Sequence, residues 1–139
     1  MFAIAFRMGP GLLSGKRQRG RPKHRSGMTV RNALASLAVR DISKSIEWYE
    51  QLFGRPADAR PLREVAEWRF ESGGGLQVYA GVERAGGCSC TLVVSNHAEQ
   101  RQALTKLGVA MDERASTERT PTIMIRDLDG NSIAFVQPA

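Results

Sequence analysis

Leu37-Ala-Val-Arg-Asp-Ile-Ser-Lys-Ser-Ile-Glu-Trp-Tyr-Glu-Gln-Leu-Phe-Gly54 reads as the end of a strand, a helix cap, an amphipathic helix and a glycine stop. Asp41 stands where a carboxylate accepts from the free amides of a first helical turn. Ile42, Ile46, Tyr49, Leu52 and Phe53 recur at helical spacing, and Gly54 followed by Pro56 ends the helix. The same plan returns at Leu92-Val-Val-Ser-Asn-His-Ala-Glu-Gln-Arg-Gln-Ala-Leu-Thr-Lys-Leu-Gly108. A shift of 55 positions places Leu37 on Leu92, Asp41 on Asn96, Tyr49 on Leu104, Gly75 on Gly130 and Val78 on Ile133. Internal repetition fixes architecture before any single element does. The chain is two copies of one unit.

Around each helix the period changes to two. In the first unit, residues 31–81, Ala33–Val39 is an opening strand. Pro61 marks an edge, Trp68 and Phe70 alternate with Glu67, Arg69 and Glu71, and Gly73-Gly-Gly75 turns the chain into Leu76–Ala80. In the second unit, residues 86–137, Cys88–Val94 precedes the helix, with Asn96 and Glu99 spaced as in a capping box. Segment 109–119 is a weakly patterned strand, and Thr120–Arg126 and Ser132–Gln137 are joined by the turn Asp127-Leu-Asp-Gly-Asn131. The expected class is α+β: two βαβββ modules forming an open, cupped, eight-stranded barrel.

The chain has 139 residues, enough for one domain over 28–139 with a true core. Its net charge of +6 is local. Residues 1–27 hold Arg7, Lys16, Arg17, Arg19, Arg21, Lys23 and Arg25 with no acid, and the remainder is close to neutral. Glycines and prolines interrupt this arm, so disorder is expected, as in an extension translated from an upstream start. Arg19-Gly-Arg-Pro-Lys23 is similar to an AT-hook core, the one feature pointing to nucleic acid. No apolar run approaches the roughly 18 residues of a membrane helix. Cys88 and Cys90 are too few and too close for a disulfide framework, which points to a reducing, cytoplasmic setting.

Strand alternation divides the side chains. Leu37, Val39, Trp68, Leu76, Val78, Cys90, Leu92, Ile123, Ile125, Ile133 and Phe135 are expected to face the helices. The opposite, mixed polar face would enclose a small-molecule cavity, with Ser36, Arg69, Gln77, Tyr79 and Arg126 as candidate ligand-binding residues. The 55-position shift does not pair Arg69 with Arg126. If both face the cavity, they suit an anionic or polar ligand. Cys88 and Cys90 read as small buried hydrophobes, and Glu47, Glu50, Glu64 and Glu67 as solvated acids. Asp127 and Asp129 read as turn residues, and Trp48 and Trp68 as core or interface.

The run Asp41–Gly54 and the turn Asp127-Leu-Asp-Gly-Asn-Ser-Ile133 resemble the two signatures of the vicinal oxygen chelate superfamily, with Leu128 where that family usually has proline. The superfamily includes glyoxalase I, bleomycin-resistance proteins, fosfomycin-resistance enzymes and extradiol dioxygenases. The resemblance implies the paired-module cupped fold, often as a homodimer. It also implies a divalent metal held by His, Glu or Gln. Carried over, those ligand positions fall at Leu34, Tyr79, Ser89 and Ala134, none of them a usual ligand. The chain has two histidines, His24 and His97, too few for a His-based centre. The expectation is a metal-free small-molecule-binding protein with no cofactor. A glyoxalase-like lyase or dioxygenase-type enzyme is the alternative, and a ligand-binding module brought to DNA by the arm is the second. Whether the chain catalyses anything is left open by its residues.

Overall fold

The computed structural model describes residues 29–139; the basic arm, Arg19–Lys23 and His24 lie outside the described residues. The first module contains β1 (Leu34–Val39), α1 (Ile42–Phe53), β2 (Ala59–Leu62), β3 (Val65–Arg69) and β4 (Gly75–Ala80). Its sheet runs in the order β1-β4-β3-β2, with β1 parallel to β4 and the other pairs antiparallel. The second module contains β5 (Ser89–Val93), α2 (His97–Leu107), β6 (Thr122–Arg126) and β7 (Ser132–Val136), in sheet order β5-β7-β6. No helix among the described residues is long and apolar enough to cross a membrane.

Both helices are bounded by the expected chemistry. Asp41 accepts from the Lys44 amide at 3.1 Å, and Asn96 accepts from the Glu99 amide at 3.0 Å. Gly54 and Gly108 close them at φ 68° and 71°, a conformation that glycine adopts without a Cβ clash. One strand is missing from the anticipated eight. Segment 109–119 contributes only the isolated bridge between Asp112 and Met124. Asp112 turns back on Arg114 instead, its carboxylate accepting from the Arg114 amide and guanidinium at 3.0 and 2.6 Å. Such local bonding competes with a ladder. Pro61 does lie on an edge strand: β2 pairs only with β3, through an irregular register.

The helices lie over one side of the sheets, and the core fills that side. Leu37, Val39, Ile46, Tyr49, Ala66, Trp68, Leu76, Val78, Leu104, Ile123, Ile125, Ile133 and Phe135 form one buried cluster, with Phe70, Cys88, Cys90 and Trp48 packed against it. Tyr49, Phe53, Trp68 and Phe70 stack or meet edge to face at centroid distances between 5.5 and 6.0 Å, the preferred range for aromatic pairs.

A polar hub joins the modules. The buried Tyr49 hydroxyl donates to Asp127 Oδ2 at 2.7 Å. Asp127 also accepts from the Asn131 amide, the Asp129 amide and the Asn131 side chain at 2.8 to 2.9 Å. Asn131 then donates to the Ala38 carbonyl at 2.7 Å and accepts from the amides of Gly86 and Cys88. Beside it, the Ala38 amide donates to the Cys88 sulfur at 3.4 Å, and the Arg40 amide to Asp129 at 3.1 Å. These bonds satisfy the free edge of β1. Cys88 is therefore an acceptor as well as packing. Asp127 and Asp129 do more than shape a turn.

Burial, then the neighbouring Asp127 charge, pushes the Tyr49 phenol far above its ordinary range, so it remains a donor at any physiological pH. Replacing Tyr49 by Phe keeps the ring and strips Asp127 of one partner. The expected loss is about 1–3 kcal/mol of stability, read as a lower urea midpoint with an unchanged slope. A midpoint equal to that of the parent protein would show that the hydroxyl carries no weight.

Candidate functional site

The sheet face away from the helices is laid out by the strand register. In the first module Ser36 sits opposite Gln77, and Gln77 opposite Glu67, so three polar side chains form one row across β1, β4 and β3. One flanking row carries Ala38, Tyr79 and Val65; the other carries Leu34, Gly75 and Arg69. Gly75 is a close-approach position: a Cβ there would lie 2.4 Å from the Leu34 side chain and 2.9 Å from the Trp68 carbonyl. The Tyr79 ring lies against Gly81, where a Cβ would meet it at 2.8 Å. The polar row is thus bordered by Leu34 on one side and Tyr79 on the other.

Four of the five anticipated ligand-binding residues, Ser36, Arg69, Gln77 and Tyr79, share this face. Arg126 does not join them. It lies on β6, the far strand of the other sheet, exposed and donating to the Gly130 carbonyl at 2.9 Å. Register also corrects the equivalence of the two arginines. Leu34 pairs with Gly75 while Ser89 pairs with Ser132, so the β3–β4 half of the repeat matches two residues beyond the 55-position shift. Arg69 sits opposite Gly75 and Arg126 opposite Ser132: they occupy the same place in the two modules. The added residues lie in the looped segment before β6, where pattern matching has nothing to hold.

Glu67 departs from the solvated acid its sequence context suggests. Its residue is 1% exposed. Its Oε1 accepts from Arg69 Nε at 2.9 Å, and its Oε2 is buried with no hydrogen-bonding partner among the described residues. Glu47 and Glu64 are exposed as expected, and Glu50 is half-buried. The ion pair changes what Arg69 offers, because its charge is already balanced by Glu67. Strand alternation placed Glu67 on one face with Val65 and Arg69, but the Gln77 opposite it comes only from register.

Corrected for register, the last-strand ligand position of the first module falls at Gln77 instead of Tyr79, because Ser36–Gln77 corresponds to Thr91–Ala134. The donor set then comprises Leu34, Gln77, Ser89 and Ala134. One carboxamide and one hydroxyl do not suit a divalent transition metal, which prefers imidazole, thiolate or carboxylate. No group of three or more His, Cys, Asp or Glu side chains converges among the described residues. His97 lies at the start of α2, its Nε2 buried and 3.6 Å from Glu113, away from the polar row. The residues present do not fit the metal that the resemblance implies.

Comparison with solved structures agrees on the fold. A glyoxalase/bleomycin resistance protein from Catenulispora acidiphila DSM 44928 is similar at 27% identity and a TM-score of 0.68, over 78% of this chain and 98% of that one. TnmS3, an antibiotic binding protein from Streptomyces sp. CB03234, is similar at 22% identity and a TM-score of 0.68, over 81% and 99%. A bleomycin resistance determinant encoded on the transposon Tn5 is similar at 19% identity and a TM-score of 0.63, over 78% and 98%. No family model and no curated protein matches the sequence.

The helix-facing cysteine gives a pH-dependent check on which face is which. Burial, then the Asp127 charge, pushes the Cys90 thiol up to about 11. The thiolate is the reactive form, so alkylation of Cys90 should stay slow through pH 9 and accelerate as pH rises toward 11. Between those values the folded chain keeps a proton that the unfolded chain has released, so this group lowers stability as pH rises. Peptide mass spectrometry after brief iodoacetamide treatment reads the first effect. Fast labelling of Cys90 at pH 8 in folded protein would place its side chain on the open face.

Proposed function

We propose that this chain, which has the fold of the glyoxalase/bleomycin-resistance proteins within the vicinal oxygen chelate superfamily, is a metal-independent small-molecule-binding protein. The observation that carries the reading is the Ser36–Gln77–Glu67 row. It is polar and bordered by Leu34 and Tyr79, and it lies on the face where the family's metal ligands would project. Within this row the buried atom without a hydrogen-bonding partner among the described residues is Glu67 Oε2; Ser36 is exposed, and Gln77 is 7% exposed. Buried polar groups are normally paired, and an organic ligand would supply the pairing here. The binding residues are Ser36, Arg69, Gln77 and Tyr79. Arg126 occupies the equivalent position of the second module and lies apart from this group.

The reading includes a homodimer acting in the cytoplasm. Support for a second copy comes from the open face of the second module, where Val93 is 72% exposed beside exposed Ser89 and Thr91. A second copy seated there would take this valine, at the end of β5, out of water. TnmS3, an antibiotic binding protein, shares this fold and supports small-molecule binding as a use of it.

A thermal-shift screen of a metabolite and antibiotic library, with and without EDTA, tests the proposal. A ligand present at 100 times its Kd should add about 2.7 kcal/mol of stability, equally in both buffers. Gln77→Ala should weaken that ligand about tenfold, or ~1.4 kcal/mol. Stoichiometric nickel, zinc, iron or manganese in purified protein, together with binding that EDTA abolishes, would instead favour the metal-dependent enzyme.

A further inference from the structure

We infer that Glu67 is a recognition residue of the open face, and that its Oε2 accepts a hydrogen bond from an N–H donor on the bound molecule. This rests on the reading of that face as a small-molecule site. It goes further by naming the chemistry of the ligand.

The argument begins with a carboxylate that is only half used. Glu67 is 1% exposed, on the central row of the face, with Gln77 directly across the strand pair and Ser36 beyond it. Arg69 Nε donates to Oε1 at 2.9 Å, and Oε2 is buried without a partner among the described residues. A carboxylate oxygen only accepts, so the missing partner must be a donor. Leaving such an atom unsatisfied away from water is costly, and buried polar exceptions of this kind cluster where function retains them.

Charge narrows the class further. The Arg69 guanidinium balances the Glu67 carboxylate, so the pair offers a neutral site with spare acceptor capacity, not a cationic one. An anionic ligand would meet an acceptor at close range and be disfavoured. An amidine, guanidine, primary amide or amine presents the complementary N–H. Gln77 beside it adds one acceptor and two donors, which suits a planar amide or amidine edge. A ligand would reach Oε2 by displacing the neighbouring Arg69 side chain, which is 36% exposed. Leu34 and Tyr79, one on either side of the row, supply apolar surface for the rest of the molecule. The anionic preference suggested by two arginines in the sequence does not survive the ion pair.

Three probes share one ring and differ in donor chemistry: benzamidine, benzamide and benzoate. Each is titrated into the full chain and followed by saturation-transfer NMR and by amide shifts of labelled protein. Parent protein is expected to rank benzamidine first and benzoate last, with at least a tenfold difference in Kd. Glu67→Gln should weaken benzamidine about tenfold and leave benzoate no weaker. Glu47→Gln, on the exposed side of α1, should change neither. Benzoate binding as tightly as benzamidine in the parent protein would overturn the inference, as would benzamidine affinity indifferent to Glu67→Gln. Benzoate binding that moves the Gln77 and Tyr79 amides would preserve the small-molecule reading while removing this one. Silence of all three probes on this face would count against both. The ranking in the parent protein decides the matter even if the variant folds poorly.

Discussion

One buried carboxylate holds the two modules together. Asp127 accepts from the Tyr49 hydroxyl of α1, from two backbone amides of its own turn and from the Asn131 side chain. Asn131 in turn reaches the Ala38 carbonyl on the edge of β1. An edge strand left open invites mispairing. Here the edge of β1 is closed by the second module's Asn131, Cys88 and Asp129. The turn Asp127-Leu-Asp-Gly-Asn131 is therefore a clamp as well as a turn. Leu128, standing where the superfamily usually has proline, is 60% exposed and takes no part in the clamp, so the replacement leaves it intact.

The clamp has a consequence for function. With α1 and α2 in contact and β1 beside β5, both helices serve one side; on the opposite side Glu67 and Gln77 are buried, while Ser89, Thr91 and Val93 are exposed. The two open faces have diverged. Where the first module has Gln77 and Glu67 in one row, the second has Ala134 and Met124. The arginine and the hydroxyl of the opening strand are shared, as Arg69 and Arg126 and as Ser36 and Thr91. The second module keeps polar residues of its own on this face (Ser89, Thr91, Thr122, Arg126 and Ser132) but has no counterpart of Gln77 or Glu67.

How much of this was legible depended on how local the physics was. Helix caps at Asp41, Gly54, Asn96 and Gly108 are decided within a few residues, and the sequence reading located them. Helix-facing positions followed from period two, since a one-residue slip would turn every apolar side chain to the wrong face. The fold class followed from the repeat. Burial of Glu67 was not legible, because an acid in an alternating strand looks the same whether its face meets water or a neighbouring arginine. The partner of the Tyr49 hydroxyl stands 78 residues away, and no local pattern points to it. The two-residue offset between the modules was hidden in segment 109–119. There Asp112 bonds to Arg114, and Glu113 to Arg101, instead of extending a sheet.

Amide chemical-shift mapping of the labelled protein in EDTA, titrated with a ligand selected by stability screening, tests the central claim most directly. The account predicts the largest shifts at Ser36, Glu67, Gln77 and Tyr79, unchanged when divalent metal is added. Shifts centred elsewhere, or appearing only once a metal is supplied, would contradict it.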